Sequence, residues 1–270
     1  MRIDGRVFFN AVRGPVFGGR LNQGQVAGTE AIIAKAGGTR PGAAHFSDPR
    51  RLAYMLATAH HETAGTMQAV RETMASSDAE AVARLERAFR AGEMPTVSTP
   101  YWRRDESGLS YYGRGLVQLT HRRNYLRMSR VTGLDLVSAP DLALRLDVAA
   151  TILVVGMSEG LFTGFRLADF FTGVTTDWTG ARKIVNGRDR ADKIAETAKR
   201  FDAAIRAALV VSRPEGKGAA PSETSPSAAP LAGTSLAGTS LAGMGRLQRL
   251  SWTARDAMRR ALQQDFPEPP

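Results

Sequence analysis

The sequence has no cysteine. This absence excludes disulfide bonds, thiolate metal sites and cysteine nucleophiles, so stability must come from packing alone. Long apolar runs are also missing: the longest, residues 148–155, is far too short to cross a bilayer and predicts a core helix. The first ten residues lack the basic-flanked apolar run and small-residue cleavage site of a secretory signal. We therefore expect neither a membrane anchor nor a standard export signal.

Acidic residues are in deficit. The 270 residues include 36 Lys and Arg against 26 Asp and Glu, which gives a formal net charge of +10. Such a balance favours a polyanionic partner, whether nucleic acid, anionic lipid or the carboxylate- and phosphate-rich envelope of a bacterium. A solvated basic surface that serves solubility explains the charge equally well. Charge alone does not choose among these.

The composition divides the chain into three parts. Residues 1–211 have the ordinary globular mixture and are predicted to form one mainly helical domain. Residues 212–245 are rich in Pro, Gly, Ser, Thr and Ala and repeat the pentad Leu-Ala-Gly-Thr-Ser, which predicts a flexible linker. Residues 246–270 predict a short basic amphipathic helix that ends at Pro267. This helix either docks on the main domain or contacts an anionic envelope.

Helix signals recur through the first part. A helix is predicted over residues 24–36, and a second begins where Asp48 caps it and Pro49 occupies its first turn. Ser77 and Glu80 resemble a capping box. Further helices are predicted from the apolar residues 142–157 and from a buried stripe that runs to residue 209.

The second helix carries the first candidate for chemistry. Its inward stripe consists of Leu52, Met55, Leu56 and Ala59, and the same spacing predicts that Glu62 also points inward. Desolvation disfavours the ionised form of a carboxyl group, so a buried Glu62 could hold a proton and act as a general acid. The alternative is a solvated glutamate at a helix end.

The sequence does not predict a metal site or a nucleophilic serine at this segment. A zinc-protease pattern needs a second histidine one turn after His61, and Gly65 occupies that place. A Gly-x-Ser-x-Gly elbow is also absent from the sequence. We expect no metal and no cofactor.

The second candidate segment is residues 111–120, YYGRGLVQLT, followed by Asn124 and Tyr125. Its two glycines lack the third glycine of a dinucleotide loop and the lysine of a P-loop, so nucleotide binding is not predicted. Aromatic faces stack on sugar rings, and amide and hydroxyl groups both donate and accept hydrogen bonds. The segment therefore suits a neutral polyhydroxyl ligand. Alternatively, its tyrosines are core residues and its polar groups cap a helix that starts near His121.

Taken in order, three signatures resemble glycoside hydrolase family 19, the family of class I chitinases and of some phage endolysins. They are HET at residues 61–63, the segment 111–125, and IVNG at residues 184–187. The openings FFNAVR at residues 8–13 and QGQV at residues 23–26 are similar to those of the short bacterial and phage-encoded members. The resemblance covers roughly residues 5–210.

This resemblance implies a fold and an activity. The expected fold is mainly α, of the α+β lysozyme-like superfamily, with two lobes and a central substrate cleft. The expected activity is inverting hydrolysis of β-1,4 linkages between N-acetylated amino sugars. Glu62 corresponds to the proton donor, and Glu72 is the candidate for the base that activates water, about 6.5–9.5 Å away in inverting enzymes. Asp78, Glu80 and Glu106 remain alternatives to Glu72.

The resemblance also assigns supporting residues. Predicted substrate-binding residues are His61, Tyr112, Gln118, Thr120, Asn124 and Asn186. Residues predicted to support the cleft are Tyr111, Arg114 and Lys193, the last in place of an arginine that orients the carboxylates. The sequence departs from the family at Asn186-Gly187-Arg188, where many relatives have a second glycine, and this leaves the loop conformation open.

Peptidoglycan and chitin compete as substrates. The charge of +10 favours the acidic polymer, peptidoglycan, and hence a bacteriolytic enzyme that accumulates in the cytoplasm and reaches the cell wall after release. We expect a monomer without a nucleic-acid partner, since no nucleic-acid-binding motif accompanies the charge. The alternatives are a lytic transglycosylase of goose-lysozyme type, and a catalytically inactive wall-binding phage structural module.

Overall fold

A computed structural model describes residues 2–37, 48–95 and 97–209. These residues form a mainly helical structure, which confirms the predicted fold class. The helices are α1 (Gly5–Arg13), α2 (Gln23–Ala36), α3 (Pro49–Glu62), α4 (Asp78–Arg90), α5 (Arg122–Thr132), α6 (Leu146–Glu159), α7 (Leu167–Phe170) and α8 (Ala191–Ala208). The predicted linker and the predicted C-terminal helix lie outside the described residues.

The strands are very short. β1 (Val70–Arg71) pairs antiparallel with β2 (Arg114–Gly115), so that Val70 lies opposite Gly115 and Arg71 opposite Arg114. Three 3₁₀ turns complete the regular structure, at Glu72–Met74, Pro140–Leu144 and Gly180–Ile184. The small sheet brings the segment after α3 against the glycine-rich segment that precedes α5.

Two helix starts follow the predicted caps. The side chain of Asp48 accepts a hydrogen bond from the backbone N–H of Arg50 at 3.0 Å, and Pro49 occupies the first turn of α3. Ser77 caps α4 by accepting from the N–H of Glu80 at 3.2 Å. In a capping box the Glu80 side chain would accept from the backbone N–H of Ser77. Here the Glu80 carboxylate accepts instead from the backbone N–H and the hydroxyl of Ser76.

The helix predicted over residues 142–157 begins later than expected. Pro140–Leu144 forms a 3₁₀ turn, Arg145 has extended backbone angles, and α6 starts only at Leu146. The interruption falls close to Pro140, which fixes its own backbone and lacks an N–H to donate. At the other end of the domain, Leu209 leaves α8 and pairs with Ile3 in an isolated bridge.

Two groups of apolar side chains form the core. The larger group is shared by α1, α2, α3, α6 and α8, and α3 packs extensively against α8. The smaller group lies under α4 and includes Leu85, Met94, Trp102 and Tyr112. None of the described helices is both long enough and apolar enough to span a membrane. Glu62 ends α3, a helix that packs in the larger group. Glu72 follows β1 and lies beside the segment that contains Tyr112, a residue of the smaller group.

Candidate active site

Glu62 is the last residue of α3 and is fully buried. The inward orientation predicted from helical spacing is observed. Its Oε1 accepts a hydrogen bond from Nη1 of Arg182 at 2.9 Å. Arg182 belongs to the turn Gly180–Ile184, is itself buried, and donates through Nε to the carbonyl of Asp189 at 3.1 Å. The two side chains therefore form an ion pair inside the protein.

Burial changes the acidity of the groups around this ion pair. Desolvation lowers the pKa of Arg182 to about 10, against the opposing influence of Tyr54 and Asp189. Tyr54 lies two turns before Glu62 on the same buried side of α3, with Thr58 between them. Burial raises the pKa of Tyr54 well above its usual value, although the charge of Arg182 acts to lower it. Tyr54, Thr58 and Glu62 therefore form a polar stripe on the buried side of α3.

The arginine that contacts Glu62 shows that the prediction for Lys193 was wrong. We predicted that Lys193 takes the place of an arginine that orients the carboxylates. The structure gives the contact with Glu62 to Arg182, while Lys193 is exposed on α8. Ile194 and Ala195 turn inward from that helix, so the adjacent Lys193 faces solvent. Arg182 precedes the predicted IVNG signature by two residues and was not identified from the sequence.

Glu72 immediately follows β1 and is 3% exposed. Its backbone N–H donates to the carbonyl of Gly113 at 2.7 Å, and its Oε2 accepts from the N–H of Gly113, also at 2.7 Å. Its Oε1 accepts from the hydroxyl of Tyr101 at 2.7 Å. The next two residues, Thr73 and Met74, have positive φ angles of 61° and 56°. The carboxyl group is thus held by contacts to both of its oxygens.

The surroundings raise the pKa of Glu72 to about 7. Burial is the dominant cause, because it penalises the charged form. The N–H of Gly113, the hydroxyl of Tyr101 and the charge of Arg114 act in the opposite direction by stabilising the carboxylate. A carboxyl group with this pKa exchanges a proton readily near neutral pH, as general acid–base chemistry requires.

The alternatives to Glu72 have different environments. Burial acts to raise the pKa of Asp78, but the hydroxyl of Tyr112 and the charges of Arg114 and Arg71 outweigh it and lower the pKa. Glu80 forms an ion pair with an arginine one turn later on α4, and Glu106 is exposed. Of these four predicted carboxylates, Glu72 alone is buried.

Gln118 lies beside Glu72. Its backbone has a positive φ of 54°, and its Nε2 donates to the carbonyls of Val70 at 3.1 Å and Gly115 at 3.2 Å. A Cβ added to Gly113 would lie 2.9 Å from Oε1 of Gln118 and 3.3 Å from Oε2 of Glu72. Both side chains therefore press against the same face of Gly113, and only glycine leaves them room.

The other predicted polar residues lie in two places. The hydroxyl of Thr120 donates to the carbonyl of Gln118, and Nδ2 of Asn124 donates to the carbonyl of Thr120, both at 2.8 Å. Asn186 follows Arg182 by one turn, and its Oδ1 accepts from the N–H of Gly187 at 2.9 Å. His61 is half-buried and directly precedes Glu62. The chain of contacts through Gln118, Thr120 and Asn124 therefore begins beside Glu72. His61 and Asn186 are instead close in sequence to Glu62 and to its partner Arg182.

Tyr112 requires a correction. We predicted that it contacts the sugar, but it is fully buried, and the guanidinium of Arg114 lies 3.8 Å from its ring centre. Its hydroxyl donates to Asp78. Both the aromatic ring and the hydroxyl of Tyr112 therefore contact other residues of the protein, and neither is available to a ligand. Tyr101, which the sequence analysis did not identify, is the tyrosine whose hydroxyl reaches a candidate catalytic group.

Arg114 and Tyr111 have internal contacts. Arg114 is fully buried and donates to the carbonyl of Ser110 at 2.8 Å and to the hydroxyl of Tyr125 at 3.0 Å. Tyr111 donates to the carbonyl of Val137 at 3.1 Å.

No group of three or more His, Cys, Asp or Glu side chains suited to a metal ion occurs within residues 2–37, 48–95 and 97–209.

Comparison with known proteins shows which family this chain resembles. Residues 27–155 match the family described as chitinase class I. Similar solved structures include chitinase C from Streptomyces griseus HUT6037, at 18% identity and a TM-score of 0.41, with 76% of each chain covered. The family GH19 class IV chitinase from Zea mays is similar at 17% identity and a TM-score of 0.40, over 74% of this chain and 91% of that one. No curated protein sequence matches the chain.

The matched region contains both Glu62 and Glu72 and the segment 111–125. Over this region the chain is similar to the chitinase class I family of glycoside hydrolases.

Proposed function

We propose that the protein is an inverting hydrolase of β-1,4 linkages between N-acetylated amino sugars, with Glu62 as general acid and Glu72 as general base. The observation that carries this proposal is a pair of buried carboxyl groups in unlike surroundings. Glu62 is held by a guanidinium group. Glu72 is held by neutral donors, and its pKa is about 7. Environments that separate two titrating groups in this way are what acid–base catalysis requires.

In this mechanism Glu62 gives its proton to the oxygen of the leaving sugar. Arg182 fixes the orientation of the carboxyl group through its contact with Oε1. Glu72 accepts a proton from the water that attacks the opposite face of the sugar. Tyr101 and Gly113 hold the Glu72 carboxylate in place as it takes up this proton, because each of them donates to one of its oxygens.

The opposite assignment of roles is a second candidate, and one observation favours it. The positive charge of Arg182 beside Glu62 favours the ionised form of that carboxyl group. Burial of Glu72 favours its protonated form. On acidity alone, Glu72 would donate the proton and Glu62 would accept it.

Two variants separate these assignments. A substrate with a nitrophenolate leaving group needs little protonation, so the acid variant keeps much of its activity on this substrate. Glu72→Ala removes the base and opens space for azide, a small nucleophile that needs no deprotonation. We expect Glu62→Gln to retain activity on the activated substrate and Glu72→Ala to be rescued by azide. The reverse pattern assigns the reverse roles.

We further propose that the natural substrate is peptidoglycan. The formal net charge of +10 supports this, because a basic enzyme is concentrated at an acidic polymer and gains nothing at neutral chitin. In the same proposal the protein acts as a monomeric bacteriolytic enzyme of the endolysin type. It accumulates in the cytoplasm and acts on the cell wall after release.

Product analysis on purified peptidoglycan beside colloidal chitin tests the substrate and the mechanism together. We expect faster turnover of peptidoglycan, and α-anomeric reducing ends in NMR spectra recorded before mutarotation. Anhydro sugar ends would identify a lytic transglycosylase instead. Binding to walls without turnover, unchanged in Glu62→Gln, would identify an inactive binding module.

A further inference from the structure

Four charged side chains beside Glu72 form a closed ring of ion pairs. Asp78 contacts Nε of Arg71 and Nη2 of Arg114, both at 3.0 Å. Asp141 contacts Nη2 of Arg71 at 2.7 Å and Nε of Arg114 at 2.8 Å. Each aspartate therefore bridges the same two arginines, and charges of opposite sign alternate around the ring. We name Arg71, Asp78, Arg114 and Asp141 the charge ring.

The charge ring joins four separate elements of the fold. Arg71 belongs to β1 and Arg114 to β2, while Asp78 begins α4 and Asp141 lies in the turn Pro140–Leu144. Arg114 is fully buried, whereas the side chain of Asp141 is 51% exposed. Exposed ion pairs add little to stability, but a forked guanidinium group that contacts two carboxylates strongly restricts geometry. The ring thus restricts the relative position of the two strands.

Glu72 directly follows Arg71, the residue of the charge ring that ends β1. Arg71 lies opposite Arg114 in the sheet, and the pairing continues at the next position, where Glu72 and Gly113 exchange hydrogen bonds of 2.7 Å. A shift of β1 against β2 would move the Glu72 carboxyl group with it. Displacements of about 1 Å at a catalytic group cost up to about a hundredfold in rate.

We propose that the charge ring positions Glu72 and sets the electrostatic field around it, so that Asp78 and Asp141 are positioning residues for the reaction. This inference rests on the proposed role of Glu72 as the base. No chemical step passes through the ring itself. The two aspartates hold Arg71 and Arg114 in place and balance their charges.

The groups that face Glu72 determine the sign of the effect. They are the hydroxyl of Tyr101, the N–H of Gly113, the guanidinium of Arg114, and Tyr125, whose own pKa is raised in part by the charge of Glu72. Arg114 is the cation among these groups, and it lowers the pKa of Glu72. Removing the negative charge of Asp141 leaves the charge of Arg114 less balanced, which favours ionised Glu72 and lowers its pKa further.

Asp141→Asn is the suitable test, because Asp141 is half-exposed and its loss leaves Arg114 paired with Asp78. We expect kcat to fall about fivefold with KM nearly unchanged, since Glu72 is held less firmly. The acidic limb of the pH–rate profile should move to lower pH by about half a unit. Asp141→Glu restores the charge, so the limb should return towards that of the wild type.

Asp147→Asn provides a matched control. It removes the same charge from an exposed ion pair with Arg145, at 2.8 Å and outside the ring. We expect it to leave both kcat and the acidic limb unchanged. If Glu72→Gln is inactive and Asp141→Asn also leaves the limb in place, or if Asp141→Glu moves the limb equally far, the ring does not control the charge around Glu72 and the inference is overturned.

Direct titration separates failure of this inference from failure of the proposed function. Carboxyl NMR of the full chain reports the pKa of Glu72 without any turnover. A lower pKa in Asp141→Asn supports the ring even if Glu72→Gln proves fully active, a result that would remove only the role as base. An unchanged pKa together with an inactive Glu72→Gln overturns the ring and leaves the role as base standing.

Discussion

The ends of α3 and of β1 each supply one buried carboxyl group, but they hold it in different ways. Glu62 continues the apolar stripe of a 14-residue helix and meets a buried guanidinium group. Glu72 follows a strand of two residues and is held by a tyrosine hydroxyl and a backbone N–H. A helix orients its last side chain through its own periodicity, whereas a short strand depends on partners that are distant in the sequence.

The two environments also differ electrostatically. A full positive charge in contact with Glu62 stabilises a carboxylate. At Glu72 two dipolar donors and the charge of Arg114 offset only part of the effect of burial and leave the pKa near 7. Removing a group near Glu62 should therefore mainly change the rate. Removing a group near Glu72 should also change the pH dependence. The following changes test this difference.

Glu62→Gln is expected to have the largest effect. Glutamine is nearly isosteric but has no proton to donate, so turnover of chitin oligosaccharides should fall by about two to four decades. Steady-state kinetics on oligosaccharides measures the loss, and thermal unfolding checks that the fold is intact. Glu30→Gln, on an exposed position of α2, is the matched control and should be fully active. Retention of more than about a tenth of the activity would contradict the assignment of Glu62.

Gly113→Ala should lower the rate by about tenfold to a hundredfold. The new Cβ would lie 2.9 Å from Oε1 of Gln118 and 3.3 Å from Oε2 of Glu72, so both side chains must move. kcat on a soluble oligosaccharide is the measurement. Gly14→Ala is the control, because a Cβ there has no heavy atom within 4 Å, and it should leave kcat unchanged. Equal kinetics of the two variants would show that the contacts of Glu72 with Gly113 do not matter for turnover.

Glu72→Gln should change the pH dependence of stability. The folded protein raises the pKa of Glu72 to about 7, so the wild type loses free energy of unfolding as the pH rises from the unfolded-state value towards 7. Glutamine does not ionise. From pH 4 to pH 8 the variant should therefore gain about 3 kcal/mol relative to the wild type.

Denaturant unfolding at the two pH values measures this difference. Glu93→Gln, at an exposed position, serves as the control for the loss of one carboxyl group. A difference between Glu72→Gln and the wild type that is the same at pH 4 and pH 8 would mean that Glu72 titrates normally in the folded protein.

Tyr101→Phe should have the smallest effect. The hydroxyl of Tyr101 stabilises the Glu72 carboxylate and so lowers its pKa; without it the pKa rises above 7. A base must be ionised, so the rate at pH 7 should fall about threefold and recover at higher pH. The pH profile of kcat/KM gives the shift. Tyr111→Phe removes a hydroxyl that donates to the backbone carbonyl of Val137 and is not among the groups that shift the pKa of Glu72, so it should not move the profile.

Periodicity and capping explain what could be predicted. The cap of α3 at Asp48, the cap of α4 at Ser77 and the burial of Glu62 all follow from residues within two helical turns of one another. The late start of α6 shows the limit of this approach. The apolar pattern continued through Leu142, but a turn that begins at Pro140 displaced the helix start to Leu146.

The errors at the site have a common cause. Arg182 lies 120 residues from Glu62, and Tyr101 lies 29 residues from Glu72. Strands of two residues carry no alternation from which their pairing could be predicted. The sequence therefore suggested Lys193 where the structure has Arg182, and it did not identify Tyr101 as a partner of Glu72.

By itself, the sequence determined the mainly helical fold and a carboxyl group that points into the core at the end of α3, because local spacing encodes both of them. Tertiary structure alone decided which cation meets Glu62, which donors hold Glu72, and how far the pKa of Glu72 is raised. These properties depend on burial and on contacts between distant segments, and a pattern along the chain records neither.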